Sequence, residues 1–521
     1  MMSLKSAISL ILIFSALSLN ATIIYIPSDY PAIQSGIDAA DDGDTIIIDP
    51  GEYFEHLVIS EKDLIIGSRF ILTNDTSFIT QTILNGNGTG RGIWISDTDN
   101  PARISGLTIT NCRSTSGAAI LVMQSYIMID NVRIIGNTAH CESTEFSAGG
   151  GISVYSSTVI LANFLLKSNK AFCITPPVNP YGGGLYANNS NLELLNGQIL
   201  NNEAYLGAGI FVINSTLQAE STEFKENFAP YVGCAICSFN SGIALDRCNF
   251  MENNAPGAVL YHENEYPTVI TNCLFANNIG RCINVTETLG IVNCTFVNNS
   301  NTSILLGPSS NLHLMNSIFW NNSAYEIEFY LSNNLAILGH VAIKNGIAGI
   351  KGNVNLTYFG PVFDFNPGFI SNSDYRLSDS SQCIGAGLDT LFNYPHLAAP
   401  DIDLEGNARP DPAGSMPDLG AYENELANPL TGLVENLSPV TLVKIYPNPA
   451  RDIFTIATEQ GNKIQSVRII EPSGTEVLYC SFRPEPVESC TVNTSDHRGK
   501  GFVIVEINLE TEKVFLKAMI Y

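Results

Sequence analysis

Two stretches of the chain combine aromatic rings, carboxylates and a histidine, and these residue types suit the binding of sugars. An aromatic ring stacks on the apolar face of a sugar, while polar side chains hydrogen-bond its hydroxyl groups. The stretches run from 138 to 148 and from 170 to 181, and Tyr205 follows at the matching place. Rings that fold back onto the protein would instead be packing residues, and both interpretations stay open here. The predicted ligand-binding residues are His140, Glu142, Glu145, Phe146, Phe172, Tyr181 and Tyr205.

Each stretch also contains one cysteine. Cys141 and Cys173 stand four residues after Asn137 and Asn169, two asparagines that occupy the same position in successive repeats. Repeats that stack would bring the two cysteines together, so we predict a disulfide that joins the loops. Five further cysteines lie in apolar surroundings and are predicted to be buried rather than catalytic or metal-binding: Cys234, Cys248, Cys273, Cys282 and Cys294.

The element that positions these residues is a repeat of the form apolar-x-Asn-Cys-x-Phe-x-x-Asn. It is clearest at 272–278 and 293–299, and related versions extend back to residue 131. Its closing asparagines are 32, 32, 26, 26, 24, 21 and 23 residues apart, and a small residue and an apolar strand follow each one. Such a period, without a helical stretch, predicts a solenoid. The closing asparagines are Asn137, Asn169, Asn201, Asn227, Asn253, Asn277, Asn298 and Asn321.

A parallel β-helix is the solenoid that fits this period best. Coils stacked at about 4.8 Å pair every backbone group with the next coil and place like residues above like. Asparagine suits tight bends because it tolerates left-handed geometry and can bond to its equivalent one coil away. A leucine-rich repeat is disfavoured because its Leu-x-x-Leu-x-Leu frame is missing. The predicted internal files are Phe250, Phe275, Phe296 and Phe319, and Cys248, Cys273 and Cys294.

Composition supports a solenoid and excludes some partners. The 521 residues carry 25 Lys+Arg against 50 Asp+Glu, yet only 14% are charged, and 52 are asparagine. Up to residue 435 the net charge is −24, while the remainder has a net charge of −1. A surface this acidic repels phosphate, so nucleic acid is not a predicted partner. Uncharged amides at the corners avoid stacking like charges at the coil spacing.

The N-terminal segment predicts export and then a cap. Residues 1–21 have the pattern of a secretory signal peptide, and no later apolar stretch is long enough to span a membrane. A short amphipathic helix with Ile33 and Ile37 on one stripe is predicted next, with Ser28 or Asp29 near its cap. It would close the apolar end of the coils.

Calcium is the one metal that the sequence allows. Asp41, Asp42 and Asp44 lie close together and could hold it, but a solvated turn is the favoured interpretation of these carboxylates. No cofactor is therefore predicted.

The opening 30–34 (Tyr-Pro-Ala-Ile-Gln), with 43–46 (Gly-Asp-Thr-Ile) and 51–53 (Gly-Glu-Tyr), resembles secreted right-handed parallel β-helix proteins of the pectin-lyase-like superfamily. Segments 401–410 and 417–423 resemble the stretch that closes many bacterial surface β-helices, so the resemblance covers 22–425. It implies an all-β fold and allows a polysaccharide lyase or hydrolase. The Asn-x-Asp, Asp-Asp, Gly-His-Gly and Arg-x-Lys motifs of such hydrolases do not occur here as a set, so the catalytic residues are unknown.

A linker at 426–438 leads to a last domain at 439–521, whose alternating strands predict a small antiparallel β-sandwich. Strands are predicted at 454–457, 466–470, 477–482, 502–507 and 514–520, with Cys480 and Cys490 as a candidate pair. The entry Tyr446-Pro447-Asn448-Pro449 resembles that of type A sorting domains of the bacterial type IX secretion system. Residues 494–502 depart from the usual Leu-x-x-Gly-x-Tyr turn of that family, and the basic ending is only approximate.

Three functions remain compatible with the sequence. The first is a secreted or surface-displayed protein of a Gram-negative bacterium, exported by the type IX machinery, that binds a glycan or adheres. The second is a polysaccharide lyase or glycoside hydrolase, and the third is a structural envelope component without a ligand. The first requires no missing catalytic motif and is the prediction, with an extracellular polysaccharide as partner.

Overall fold

The structure is a computed structural model, and its contacts divide the chain into two units, Met1–Leu430 and Thr431–Tyr521. Each unit is described by itself. The residues described are 21–98, 100–142, 147–174, 179–263, 266–323, 325–331, 333–391, 394–429, 443–446, 453–458, 463–470, 476–482, 485–493, 501–509 and 513–520. The signal-peptide prediction falls almost wholly outside these residues.

The first unit is a parallel β-helix of three sheets, which we name A, B and C in the order in which each coil visits them. Each strand of these sheets pairs in parallel with its equivalent in the next coil, and side chains at alternate positions point into one continuous apolar core. Outside the coils, Thr390–Leu391 and Tyr394–Ala398 form an antiparallel pair. The predicted fold class is confirmed.

Sheet A consists of Ile23–Ile26, Thr45–Ile48, Ile65–Ser68, Ala102–Ser105, Tyr126–Asp130, Thr158–Ala162, Asn191–Leu195, Thr216–Glu220, Gly242–Asp246, Thr268–Thr271, Leu289–Val292, Asn311–Met315, Asn334–Gly339 and Val354–Tyr358. Sheet B consists of Gly51–Tyr53, Thr82–Asn85, Thr108–Thr110, Arg133–Ile135, Leu165–Lys167, Gln198–Leu200, Glu223–Lys225, Asn249–Met251, Leu274–Ala276, Thr295–Val297, Ile318–Trp320, Val341–Ile343 and Val362–Phe363. Sheet C consists of Leu57–Ser60, Ile93–Ser96, Ile120–Met123, Ile152–Tyr155, Leu185–Asn188, Ile210–Ile213, Ile236–Phe239, Asn254–Glu263, Ile279–Val285, Ile304–Leu306, Ile327–Phe329 and Ile350–Lys351.

The predicted internal files are present in the core. Phe250, Phe275, Phe296 and Phe319 stack with their rings parallel and their centroids 4.4–4.7 Å apart, and Phe224 extends the stack by one coil. The cysteine file lies at the corner between sheets A and B, with Cys248, Cys273 and Cys294 fully buried. There the backbone N–H of Cys248 donates to Sγ of Cys273 at 3.3 Å, and that of Cys273 donates to Sγ of Cys294 at 3.4 Å.

Two adjacent residues share the roles that we predicted for one asparagine, namely making the left-handed bend and bonding to the equivalent residue one coil away. At the corner between sheets B and C, one residue takes the left-handed conformation and the next is buried and bonded to the equivalent residue one coil on. Our assignment was therefore wrong by one residue in four coils, where Asn201, Asn277, Asn298 and Asn321 are the left-handed residues. One side chain cannot both point outward from a left-handed corner and bond inside the coil. The buried ladder is Asn137, Asn169, Asn202, Asn227, Asn253, Asn278, Asn299 and Asn322.

Each ladder asparagine satisfies several backbone groups. The backbone N–H of Asn169 donates to Oδ1 of Asn202 at 2.9 Å, and Nδ2 of Asn202 donates to the carbonyl of Leu166 at 3.0 Å. Equivalent N–H to Oδ1 distances are 2.9–3.1 Å along the file, which ends where Nδ2 of Asn322 donates to Glu326. The bonds supply acceptors where the sheets are interrupted, since buried N–H groups must be paired.

The corner between sheets C and A has a serine ladder that the sequence analysis missed. Each backbone N–H donates to Oγ of the serine one coil further, at 3.0–3.2 Å, and each hydroxyl donates to the carbonyl two residues before it. A left-handed residue again precedes every serine. The ladder consists of Ser125, Ser157, Ser190, Ser215 and Ser241.

The described residues contain three short α-helices, Ile33–Ala39, Phe70–Thr73 and Ser77–Gln81, and one 3₁₀ helix, Gly346–Gly349. The first buries its apolar stripe against the end of the core, as expected of a cap. Its predicted N-cap was wrong. The backbone N–H groups of Ile33 and Gln34 donate to the carboxylate of Glu55, at 2.9 and 3.0 Å. The helix is therefore capped by Glu55, which lies between the first strands of sheets B and C.

The second unit has antiparallel strands in two sheets. Five strands match the predicted ones within three residues, while Val443–Tyr446 and Ser489–Asn493 had not been assigned as strands. Cys480 and Cys490 are unpaired thiols on strands of different sheets, so the candidate pairing was wrong. One sheet consists of Val443–Tyr446, Ile453–Thr458 and Ser489–Asn493, and the other of Glu476–Ser481, Ile464–Ile470, Gly501–Leu509 and Lys513–Ile520.

The ladder predicts unequal effects for two neighbouring asparagines. Replacing Asn202 by alanine leaves the N–H of Asn169 and the carbonyl of Leu166 without partners, so we expect the free energy of unfolding to fall by about 2–4 kcal/mol. Asn201→Gly should change it by less than about 0.5 kcal/mol, because Asn201 is exposed, has a φ of 54° and glycine adopts this conformation freely. Urea denaturation of both variants measures the difference, and equal losses would contradict the assignment of the ladder.

Candidate functional site

The two insertions form an extra small sheet at the corner between sheets B and C. Its three parallel strands are Arg113–Ser114, Thr138–Cys141 and Lys170–Cys173, on successive coils. Cys141 and Cys173 lie in register with Cα atoms 4.7 Å apart and are joined in a disulfide. The insertions are therefore ordered at their bases by backbone pairing and by one covalent bond.

His140 lies beneath the loop surface rather than on it. It is 7% exposed, its ring packs on Phe172 at a centroid distance of 4.6 Å, and its Nε2 lies 3.9 Å from Oε1 of the exposed Glu142. In the part of the chain that the structure describes, neither ring nitrogen of His140 has a hydrogen-bond partner. Glu145 and Phe146 fall outside that part. The imidazole thus supports the Phe172 ring from below.

Tyr181 and Tyr205 pack partly against the outer face of sheet C. This face is itself apolar, with Tyr186 and Phe211 on it, and the loops before each strand fold over it. The Tyr181 ring lies 4.6 Å from that of Phe211, whereas Tyr205 stacks on Tyr231 at 5.5 Å with nearly parallel ring planes. Tyr181 is thus better explained as a packing residue than Tyr205 is.

Three aromatic rings remain exposed at this corner on two coils, with Tyr205 on the coil between them. Phe172 is 40% exposed, Phe228 42% and Tyr231 56%. Phe228 follows ladder residue Asn227 and lies in register with Glu203, the position that Lys170 occupies one coil earlier. Phe228 and Tyr231 were not predicted from the sequence, because the insertion in their coil is shorter than the two that form the small sheet. The position of Phe228 directly after its ladder asparagine is nevertheless a usable signal. We name Phe172, Tyr205, Phe228 and Tyr231 the aromatic corner.

Polar groups flank the aromatic corner. Nζ of Lys170 lies 2.6 Å from Oε2 of Glu203, and both side chains are about half exposed. An exposed ion pair of this kind adds little to stability. Its donors and acceptors are available to hydroxyl groups beside the rings.

A second group of polar residues lies on the outer face of sheet A. Glu193, Glu220 and Asp246 line a cavity of about 160 Å³ on three successive strands. The guanidinium of Arg247 contacts Glu220 and donates to Oδ2 of Asp246 at 2.8 Å. Burial, followed by repulsion from Glu220, raises the pKa of Glu193. The carboxylates therefore outnumber the cations on this face.

The closing segment contains the most deeply buried charges of the first unit. Nε of Arg409 lies 2.8 Å from Oε2 of Glu423, both side chains are fully buried, and Nη1 of Arg409 donates to Oδ1 of the corner residue Asn272 at 2.6 Å. Asp418 accepts backbone N–H groups through both carboxylate oxygens. Burial raises the pKa of Asp418 to about 8, and the neighbouring Glu423 adds to the shift. These groups fasten the segment to the coils.

The carboxylates proposed for calcium accept backbone hydrogen bonds. Oδ1 of Asp44 accepts from Thr22 at 2.7 Å, its Oδ2 from Asp41 at 2.9 Å, and Oδ1 of Asp42 from Asp63 at 3.0 Å. Within the described ranges there is no group of three or more His, Cys, Asp or Glu residues arranged to hold a metal ion. Calcium binding by this trio stays a prediction.

The apolar cysteines are buried as expected. Burial raises the pKa of Cys112 and of Cys383 to about 12, and it raises those of Cys273 and Cys282 well above the ordinary value. A thiol with a raised pKa is a poor nucleophile because the reactive form is the thiolate.

The chain matches two protein families. Residues 68–288 and 233–377 match the right-handed β-helix region family, and together the two matches span more than half of the chain. The chain belongs to this family. Residues 444–521 match the secretion system C-terminal sorting domain, which marks a secreted or cell-surface protein of a Gram-negative bacterium. Of the predicted sorting motif, Tyr446 pairs with Thr455 in an antiparallel sheet, and Pro447, Asn448 and Pro449 lie outside the described residues.

Solved structures add no evidence about function. ORF18 of Geobacillus virus E2 aligns at 12% identity with a TM-score of 0.32, over 70% of this chain and 64% of the viral one, which is under two thirds of the viral protein's length. The catalytic unit of the thermostable GH87 α-1,3-glucanase from Streptomyces thermodiastaticus strain HF3-3 aligns at 10% identity with a TM-score of 0.32, over 67% of this chain and 70% of that one. No curated protein matches the chain. Separately, no helix among the described residues is long and apolar enough to cross a bilayer.

The disulfide predicts a mass-spectrometric result. Digestion without reduction should yield one peptide in which Cys141 is joined to Cys173. The bond closes a loop with a sequence separation of 32, so its reduction should lower the free energy of unfolding by about 3 kcal/mol. Cys234→Ser, which removes a thiol outside the bridge, should leave the crosslinked peptide in place. Recovery of both cysteines as free thiols would disprove the pairing.

Asp418 predicts a pH dependence of stability. Its carboxyl has a pKa of about 8 in the fold and an ordinary value of 3.8, so the stability that its protonated form contributes is complete below pH 4 and is lost as the pH rises towards 8. The amide in Asp418→Asn cannot ionise, so the stability of this variant should change less between pH 4 and pH 8, even though the variant is less stable overall. Melting temperatures between pH 4 and pH 8 measure the slope. Exposed Asp389→Asn is the control, and an unchanged slope in Asp418→Asn would contradict the assignment.

Proposed function

We propose that the protein is a secreted or surface-displayed β-helix that binds a glycan, or adheres through one, at the aromatic corner. The observation that carries this proposal is the exposure of Phe172, Phe228 and Tyr231 on two coils, with the half-buried Tyr205 on the coil between them. Exposed apolar groups that form a patch, with polar groups at its edge, characterise interaction surfaces. Flat aromatic faces favour sugar rings in particular, because a sugar has an apolar face and a rim of hydroxyl groups.

The surroundings of the corner hold its rings in place. The disulfide and the small three-stranded sheet fix the strand that contains Phe172, and the buried His140 packs beneath that ring. Tyr205 supports Tyr231 by stacking, and the ion pair of Lys170 and Glu203 lies between the coils of Phe172 and Phe228. Rings that are ordered before binding lose little freedom when a ligand arrives, which favours affinity.

The corner suits a polymer better than a single sugar. Its rings follow the stacking axis, and coils repeat at about 4.8 Å, so one extended glycan could contact several rings at once. Export by the type IX machinery would present such a site to polysaccharides outside the cell. Because the corner lacks a described pair of carboxylates facing a common cavity, we propose binding rather than cleavage there.

Removal of two rings tests the proposal. The Phe172→Ala/Tyr231→Ala variant of the full-length protein, purified after export, should bind array-immobilised glycans at least about tenfold more weakly, because two stacking faces are lost. Phe54→Ala is the matched control, since Phe54 is 60% exposed between sheets B and C but stands several coils before Phe172.

Three results would contradict the proposal. One is equal glycan binding by the parent and the double variant, and another is an equal loss in Phe54→Ala. The third is the release of new reducing ends or unsaturated products from the glycans, with or without calcium, which would identify a hydrolase or a lyase instead.

A further inference from the structure

The corner between sheets C and A carries a second surface whose chemistry suits a saccharide. Its left-handed residues include Asn189, Asn214 and Asn240, with φ between 47° and 51°, and their amides stand outward on successive coils. The first residues of the adjoining sheet A strands, Asn191 and Thr216, are exposed beside them. Nearly every group on this surface is an uncharged hydrogen-bonding side chain.

These residues line one groove. A cavity of about 410 Å³ lies over Asn189, Asn214, Asn240, Gly242 and Tyr266, and another of about 300 Å³ continues from Asn189 to the two coils before it. The groove crosses six coils, or about 24 Å at the strand spacing of a sheet. We name it the amide groove. It is defined by Gln124, Ser156, Thr158, Asn189, Asn191, Asn214, Thr216, Asn240, Gly242 and Tyr266.

The amides of the groove are held by one another. Oγ1 of Thr216 donates to Oδ1 of Asn191 at 2.7 Å, and Nδ2 of Asn240 donates to Oδ1 of Asn214 at 2.6 Å. A carboxamide has two donor hydrogens and two acceptor lone pairs, so each bond uses only part of its capacity. The row is therefore oriented and still able to bond to hydroxyl groups.

One end of the groove has an aromatic wall and an open floor. The Tyr266 side chain is 52% exposed and lines the same cavity as Gly242. A Cβ atom at Gly242 would meet no atom within 4 Å, so the glycine leaves empty space rather than serving a close backbone contact. Space for a ring, an aromatic face and a row of amides are the features of a saccharide subsite.

Charge on the same sheet limits which saccharides fit. Glu193 lies two positions after Asn191 on the same strand, and it forms an acidic border with Glu220 and Asp246. The cation next to this border is Arg247, which contacts Glu220 and Asp246. A polymer of uronic acids would bring further carboxylates against this border, and like charges at short distance repel. Hydroxyl groups or ammonium groups meet no such penalty.

We propose that the amide groove is a second binding site, for a polysaccharide that lacks carboxylate and sulfate groups. It lies on another corner of the coil than the aromatic corner and does not depend on the function proposed there. The shared chemistry is a chain of hydroxyl-bearing rings, whether neutral or amine-bearing.

Filling the groove floor tests this site without disturbing the fold. Gly242→Phe should place a side chain in the empty space, and Gly242→Ala is the matched control because it adds only the Cβ atom that the structure accommodates. The probes are neutral β-glucan oligosaccharides, chitosan oligosaccharides and oligogalacturonates, titrated calorimetrically against the full-length protein. Thermal melting of each variant verifies that it is folded.

We expect the neutral or the amine-bearing probe to bind at least about tenfold more tightly than the oligogalacturonates. The tighter of the two identifies the natural class. Gly242→Phe should weaken that binding at least about tenfold, while Gly242→Ala should keep it within about twofold. Tighter binding of oligogalacturonate, failure of all three probes to bind, or undiminished binding by folded Gly242→Phe would each overturn the proposal.

Discussion

The first unit depends on hydrogen bonds that cross from one coil to the next at its corners. Sheets satisfy their own backbone groups, but every coil leaves its sheets three times, and each exit leaves an N–H group without a strand partner. At many of these corners a left-handed residue makes the bend and the following side chain supplies the acceptor. That acceptor is a carboxamide such as Asn202 between sheets B and C, a hydroxyl such as that of Ser190 between sheets C and A, and a sulfur such as that of Cys273 between sheets A and B. Of the 30 non-glycine residues with positive φ among those described, 18 are asparagine, which explains the unusual composition.

The same stacking governs the surface. Whatever stands outside one corner stands about 4.8 Å from its equivalent, so a file of like charges would repel itself. The chain meets this constraint by placing opposite charges on neighbouring coils, as in Lys170 with Glu203 and Arg247 with Glu220, or by using no charge at all. Glu220 and Asp246 depart from the rule, since they are in register on adjacent strands, and the guanidinium of Arg247 contacts both of them. Low charge content and long rows of amides are thus two consequences of one geometry.

Features that recur from coil to coil could be predicted from the sequence. Features that depend on how side chains pack outside the coils could not. The period, the phenylalanine stack and the buried cysteines follow from residues recurring in one frame. The ladder was misplaced from Asn202 to Asn201 because two adjacent asparagines fit the frame equally well, and only backbone conformation separates them. The packing of Tyr181 could not be predicted because the outer face of sheet C is itself apolar, with Tyr186 and Phe211 on it, so the loops cover one another's aromatic residues. The amide groove was not predicted because its asparagines lie outside the repeated phrase that ends at the closing asparagines.

A solenoid also determines the shape of any site built on its surface. Side chains that point outward form rows parallel to the stacking axis, and a row continues for as many coils as share a residue type. Small ligands need a pocket that closes around them, which requires loops that leave the coil and meet again. A row instead offers the same contact at regular intervals, and an extended polymer gains from each of them because binding at one coil raises the local concentration at the next. Both surfaces described above have this form, the aromatic corner through its rings and the amide groove through its carboxamides. Their order comes from the corner bonds that hold the coils in register, so the ladder that satisfies the backbone also spaces the groups that would meet a ligand.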